Sequence, residues 1–341
     1  MTAPVPLVEI WRGSLLESCH SGHAVVYDDS GQIVESWGNP DALIYPRSAC
    51  KMVQALPLLT SGAAAKYRLQ DSQLALACAS HNAAAIHTDA VQDWLQTLGL
   101  SDDSLRCGPQ EPNDRDALHA MIRAGQGPCQ YHNNCSGKHA GFLTLNQHLG
   151  GGEMYIDVDH PVQQACRAAF EDATGMDSPG FGVDGCSAPN FQTTVAGMAR
   201  AMARFASAGQ RSDRTSQAAV TLTGAMMQRP DLVAGEGRAC TRIMRALSGK
   251  GAVKTGAEGV FNAILPEHKL GITLKISDGA TRASECALVA LLVRLGVMDR
   301  DDPVAQAFIA APILNRRDVV TGQMRPAEAL LQPTSSTASY A

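Results

Sequence analysis

The chain has 341 residues, 45% hydrophobic and 18% charged, with a formal net charge of −5 and ten cysteines. Domains run to ~100–200 residues, so this length predicts one large or two interlocked globular domains, and the balance excludes long disorder. A mildly acidic chain without a basic stripe excludes nucleic acid as a partner, and no apolar run approaches the ~20 residues of a membrane span.

The N-terminus, Met1-Thr2-Ala3-Pro4-Val5-Pro6, lacks the basic and apolar regions of a secretory signal. The cysteines show no framework spacing. Both point to a cytoplasmic protein whose cysteines are mostly small buried hydrophobes.

The first elements read as strands. Leu7 to Trp11 is a short apolar run. His23 to Tyr27 and Gln32 to Trp37 flank Asp28-Asp29-Ser30-Gly31, a hairpin signal. Helical spacing of Ala and Leu follows over 49–59, 71–79, 83–98, 114–123, 137–148, 162–173 and 193–206, with Asp71 and Asn113 as caps. Strands return at 252–255, 259–265 and 269–276, the last two joined by a turn at Pro266-Glu267-His268. A nearly all-apolar helix over 283–295 is predicted to be buried, and the Ser/Thr-rich tail from Pro333 to fray.

Strands at both ends with helices between predict an α+β fold. The ends (about 5–40 and 250–278) pair into one antiparallel sheet, and a helical lobe (about 48–230) packs on it, all within a catalytic unit of 1–332. The cleft between sheet and lobe is the expected ligand site.

Three motifs occur in a telling order. Ser48-Ala49-Cys50-Lys51 is S-x-x-K at a helix start; positions three apart share a helix face, so the lysine amine is expected within reach of the serine hydroxyl. Serine is a poor nucleophile without such a base. Ser80-His81-Asn82 ends an Ala-rich helix, and Lys254-Thr255-Gly256 opens a strand. Each motif alone is a chance match, and Ser80 alone is a helix-end cap. Their order is that of penicillin-recognising serine hydrolases. A lysine base must be neutral although a free lysine titrates near ~10.4, so burial or a second cation is needed, and Lys254 beside Lys51 supplies one.

A further cluster is His132-Asn133-Asn134-Cys135-Ser136-Gly137-Lys138-His139, with Val183-Asp184-Gly185-Cys186 later. Two cysteines from separate segments with Lys138 or His139 are either a zinc site or ordinary loop thiols, because C-x-x-K lacks the usual metal spacing. Asp184 is either a turn residue or a carboxylate for a substrate ammonium.

The blocks Tyr-Pro-Arg-Ser-Ala-Cys-Lys (45–51), Cys-Ala-Ser-His-Asn (78–82), His-Asn-Asn-Cys-Ser-Gly-Lys-His-Ala-Gly-Phe (132–142), Val-Asp-Gly-Cys-Ser-Ala-Pro (183–189) and Lys-Thr-Gly-Ala-Glu-Gly (254–259) resemble the L-asparaginase II family of Rhizobium etli type, the class similar to serine β-lactamases and glutaminases. The resemblance runs from about Val8 to about Leu295. It implies a homodimer hydrolysing asparagine to aspartate and ammonia, with Ser48 as nucleophile beside Lys51 and a second pair at Ser80 and Lys254. It also implies a supporting zinc ion at Cys135, Lys138 and Cys186, and substrate contacts from Arg47, His139 and Asp184.

The expected chemistry is attack by Ser48 on the side-chain amide while Lys51 takes its proton, loss of ammonia, and hydrolysis of the ester with Ser80 and Lys254 as relay. Backbone N–H groups at the Ser48 helix start are the expected oxyanion donors. Glutamine is an alternative substrate, since one methylene is worth only ~1–3 kcal/mol. The alternatives of other classes are a β-lactamase-like or D,D-peptidase-like hydrolase and a zinc-dependent amino-acid-binding protein without catalysis.

Overall fold

The computed structural model describes residues 3–331; the tail from Pro333 lies outside them. Among the described residues twelve strands form: β1 Val5–Arg12, β2 Leu15–Tyr27, β3 Ile33–Trp37, β4 Leu43–Ile44, β5 Phe181–Val183, β6 Pro189–Phe191, β7 Thr193–Thr194, β8 Ala252–Thr255, β9 Val260–Leu265, β10 Leu270–Ile276, β11 Pro312–Leu314 and β12 Val320–Pro326. Eight of them make one antiparallel sheet in the order β11-β12-β1-β2-β10-β9-β8, with β3 continuing the β1 side of β2. The two ends of the chain therefore pair, as the strand pattern predicts: β2 carries β1 on one edge and β10 on the other.

The sheet is larger than 5–40 and 250–278. The hairpin β11–β12 joins it through β1, with Val8 opposite Pro326. β12 alternates in burial, but its buried positions are Gly322, Met324 and Pro326 rather than a β-branched run, and β11 has three residues, so the hairpin does not stand out from the sequence.

β9 is buried along its whole length and β10 nearly so, because a helix covers each face. Thr281–Arg294 lies on one side and is buried all round its middle, as an all-apolar helix must be. Val195–Ala206 lies on the other, capped by the Thr194 hydroxyl. Gly271 on β10 permits that approach: a Cβ there would sit 2.1 Å from Ala203 N.

The other helices between residues 51 and 233 form the lobe, whereas Pro303–Ile309 and Glu328–Leu331 pack on Thr281–Arg294. Asp71–Ala77 packs between Ser136–Leu149 and Arg214–Gln228. Two expected details differ. The caps are Gln70 and Asp114 rather than Asp71 and Asn113. The stretch expected as one helix over 49–59 is three short pieces, Arg47–Cys50 (3-10), Lys51–Gln54 and Leu56–Thr60. Pro57 breaks it, having no N–H for the ladder and a ring that clashes one turn back. Among the described residues, no helix is long and apolar enough to cross a membrane. All ten cysteines are unpaired thiols, Cys19 alone being exposed.

Candidate active site

The site lies where the edge strand β8 meets the short turn Arg47–Cys50. Gly256, just past β8, allows the contact: a Cβ there would stand 2.7 Å from Pro46 O and 3.1 Å from Ala49 N. From β9, the buried Asn262 amide donates to Ala49 O at 2.9 Å and accepts from Thr273 Oγ1 at 2.8 Å. Asn262 thus holds the turn bearing Ser48 from below. Its signal in the sequence is one amide inside the apolar run Val-Phe-Asn-Ala-Ile-Leu, which belongs to no motif. Arg47 adopts φ +52°, the left-handed region that costs a non-glycine residue ~1–2 kcal/mol, so the backbone is strained one residue before Ser48. The Ala49 N–H, one expected oxyanion donor, closes on Pro46 O at 3.1 Å instead.

Ser80, Lys51 and Lys254 meet in the interior. The Ser80 hydroxyl lies 2.9 Å from the Lys51 amine and 2.9 Å from the Lys254 amine. Lys51 also donates to Ala79 O and, at 3.1 Å, to Cys135 Sγ. Three acceptors for three N–H groups is the full complement of an ammonium. The i, i+3 spacing predicts Lys51 beside Ser48, yet its hydrogen bonds go to this other set. Ser48 itself is half-buried at the turn, whereas Ser80 is 8% exposed.

Lys254 is the amine made neutral. Burial, helped by the Lys51 charge, pushes it down to about 7. Its other contact is donation to Thr255 O at 2.7 Å. A neutral Lys254 accepts the Ser80 proton, while Lys51 donates to the same oxygen; the cluster reads as ammonium, hydroxyl, amine. The Ser80 segment is clamped on both sides. Ser80 N–H donates to Val233 O at 2.9 Å, His81 N–H to Asn134 O at 3.2 Å, and the His81 ring pairs with Ser136 Oγ at 2.9 Å.

The second cluster adjoins the first through Cys135. Lys138 donates to Cys186 Sγ at 3.0 Å, while the Cys135 thiol donates to Asn134 Oδ1 at 2.9 Å and accepts from Lys51 at 3.1 Å. The neighbouring Cys135, and after it the Lys138 charge, hold Cys186 well below the usual thiol range. Cys135 keeps its proton: the neighbouring Cys186, and after it burial, push its thiol up. Burial opposes charge on Lys138, but Cys186, Cys135 and Asp184 outweigh it and raise the amine. All three side chains are buried. Among the described residues no three His, Cys, Asp or Glu side chains gather as a metal-holding group. Two buried thiols and one buried amine gathered here would suit a soft divalent ion such as zinc only once both remaining protons leave.

Asp184 sits at the turn between β5 and β6, which bears out the turn reading, and its carboxylate is turned on Arg47. Its Oδ1 accepts from Arg47 Nε at 2.8 Å and from Gly185 N at 2.8 Å. Burial would raise its pKa, but Lys138 and Arg47 outweigh it and keep the carboxylate charged. His139 is fully buried, paired through Nδ1 with Tyr155 Oη at 2.8 Å, and held well below its usual pKa by burial and then by Lys138.

The structure therefore brings Lys51, Ser80 and Lys254 into one hydrogen-bonded set, Cys135, Lys138 and Cys186 into a second, and Arg47 with Asp184 into a third.

The sequence model of the L-asparaginase II family matches residues 8–326. No curated protein matches the chain. Among solved structures, the chain is similar to a putative beta-lactamase from Bacteroides dorei, at 12% identity over 75% of this chain and 84% of that one, TM-score 0.43. It is similar to a beta-lactamase from Mycobacterium bovis at 12% identity over 80% and 94%, TM-score 0.43. It is also similar to Mglu in its native form at 15% identity over 82% of this chain and 63% of that chain, TM-score 0.46.

Proposed function

The chain belongs to the L-asparaginase II family, and from that premise of amidohydrolase chemistry we propose that it hydrolyses the side-chain amide of L-asparagine to aspartate and ammonia through a serine ester. The observation that carries the reading is the Ser80 hydroxyl held between Lys51 and a Lys254 amine pushed down to about 7. A general base is most effective when its pKa lies near the working pH.

Ser48 is the residue proposed to be acylated. It is half-buried at the turn beside Arg47, where a substrate can reach it. Lys254 takes the proton that the Ser48 hydroxyl loses, passed through Ser80. Ammonia leaves with a proton returned along the same path. Water then attacks the ester by the reverse traffic, and aspartate departs. Lys51, with its N–H groups turned on Ser80 and Ala79, keeps that path polarised and lends the charge that helps lower Lys254. Asp184 pairs with the substrate ammonium and Arg47 with its carboxylate, after their mutual bond opens. Cys135, Lys138 and Cys186 would hold zinc, which would brace the loops carrying His139 and Asp184.

A second reading makes Ser80 the nucleophile, favoured by the convergence of both lysines on it. Its hydroxyl is already held between both amines, an arrangement that suits a proton relay. The deciding experiment measures ammonia release from asparagine and glutamine, and acylation by penicillin, for the native protein, Ser48→Ala and Ser80→Ala, with mass spectrometry of quenched protein. An aspartyl adduct on the Ser48 peptide supports the reading. Folded Ser48→Ala with substantial activity moves the nucleophile to Ser80. Penicillin acylation without amide hydrolysis leaves a β-lactamase-like enzyme, and ligand binding without turnover a binding protein. The same reading takes the chain as a cytoplasmic homodimer, which light scattering and cell fractionation test.

A further inference from the structure

His139 and Tyr155 are both fully buried, and neither side chain meets water. Their hydrogen bonds can be counted to the last proton. Tyr155 Oη lies 2.8 Å from His139 Nδ1 and accepts the Arg106 backbone N–H at 2.8 Å. A phenol has one proton to give. Among the described residues, the acceptor that proton finds is His139 Nδ1. With the proton on Nδ1 instead, the ring N–H would donate to the phenol and the phenol O–H would be left buried without an acceptor. Buried hydroxyls in folded proteins avoid that state. Nδ1 is therefore the accepting nitrogen, and a neutral ring then carries its proton on Nε2.

That Nε2 is buried and has no hydrogen-bond partner among the described residues. The ring cannot easily turn to find one. It stands edge-on to both Phe142 and Tyr155, centroids 5.5 Å away in each case, and it follows Lys138 directly in the chain. Asp184 and Cys135 are near enough to act on it electrostatically. A donor that is neither satisfied nor wetted, one residue from the second cluster, is a donor held for an acceptor that arrives with the ligand.

We infer that Tyr155 is a positioning residue: the chain Arg106 N–H to Tyr155 O–H to His139 Nδ1 fixes His139 as the Nε2–H tautomer, which presents a dry N–H to a carboxylate or carbonyl oxygen of the substrate. The ligand half of this inference rests on the asparagine-hydrolysis reading; the tautomer half does not. Tyr155 stands alone in a Gly- and Asp-rich connection, so nothing in the sequence pattern marks it.

The test has one arm for each half. Protein labelled with 15N-histidine, with the His139 signal assigned by its loss in His139→Gln, is examined by long-range 1H–15N correlation without substrate. The expected result is the Nε2–H pattern, giving way to the Nδ1–H form or a mixture in Tyr155→Phe. An Nδ1–H pattern in the native protein overturns the inference, whether or not the variant folds and whether or not asparagine is a substrate. In the kinetic arm, Tyr155→Phe should raise KM for asparagine about tenfold with kcat within about threefold, the scale of one misdirected hydrogen bond. Gln at 139 keeps an N–H donor and has no ring tautomer. In the His139→Gln background, Tyr155→Phe should then add nothing. An equal effect in both backgrounds shows that the tyrosine acts through packing, and refutes the positioning role.

Discussion

If Lys254 is the neutral base, its proton must leave near neutrality, and both rate and stability must record the event. The amine is 1% exposed and is pushed from 10.5 to about 7, first by burial and then by Lys51. The folded state thus binds fewer protons than the unfolded state between about pH 7 and pH 10.5, so stability rises with pH across that window and is flat on either side of it. A depression of about 3.5 units at ~1.36 kcal/mol each is about 5 kcal/mol in all, of which about 3 fall between pH 7 and 9.5.

Lys254→Met removes this dependence. By urea midpoint, the variant should gain on the native protein by about 3 kcal/mol more at pH 7 than at pH 9.5. The rate follows the neutral fraction. Native kcat/KM for ammonia release should climb about tenfold between pH 6 and pH 8 through an apparent pKa about 7, while Lys254→Met should lose about 100- to 10,000-fold and the step with it. A midpoint difference that does not vary with pH, or a native profile with no step near neutrality, would refute the neutral-amine argument.

The remaining predictions concern the parts that hold this base in place. Lys51→Met removes the charge that helps depress Lys254, so the step in any residual activity should move to higher pH, as a pH–rate series shows. Gly256→Ala must separate β8 from the Ser48 turn, because its Cβ would meet Pro46 O at 2.7 Å; a loss of about 1–3 kcal/mol in a thermal melt, with a larger loss of turnover, is expected. Asn262→Leu strips Ala49 O of its buried donor and leaves Thr273 Oγ1 without an acceptor, which should lower stability by about 1–3 kcal/mol by urea titration. Two thiols and one amine must all be deprotonated to hold zinc, so metal analysis should find occupancy climbing steeply with pH; chelation should raise KM more than it lowers kcat.

Local pattern carried much of this. The hairpin at 28–31, the buried helix Thr281–Arg294 and the pairing of the chain's two ends follow from alternation and all-round apolarity, which are properties of neighbouring residues. The groups proposed to react were legible for a related reason. Ser48, Ser80 and Lys254 stand in short motifs, and burying two lysines near one hydroxyl makes chemical sense and little structural sense. What the sequence left open is where each side chain points. Spacing along a helix predicts Lys51 on the face of Ser48, but it does not predict that the Lys51 amine donates to Ser80, Ala79 O and Cys135. The partners that fix the site, Asn262 under Ala49 and Tyr155 behind His139, lie 213 and 16 residues away along the chain. A hydrogen bond is set by distance and angle in space, and a pKa by burial and nearby charge. Local spacing encodes neither, so the tertiary structure alone decided which lysine is the neutral one.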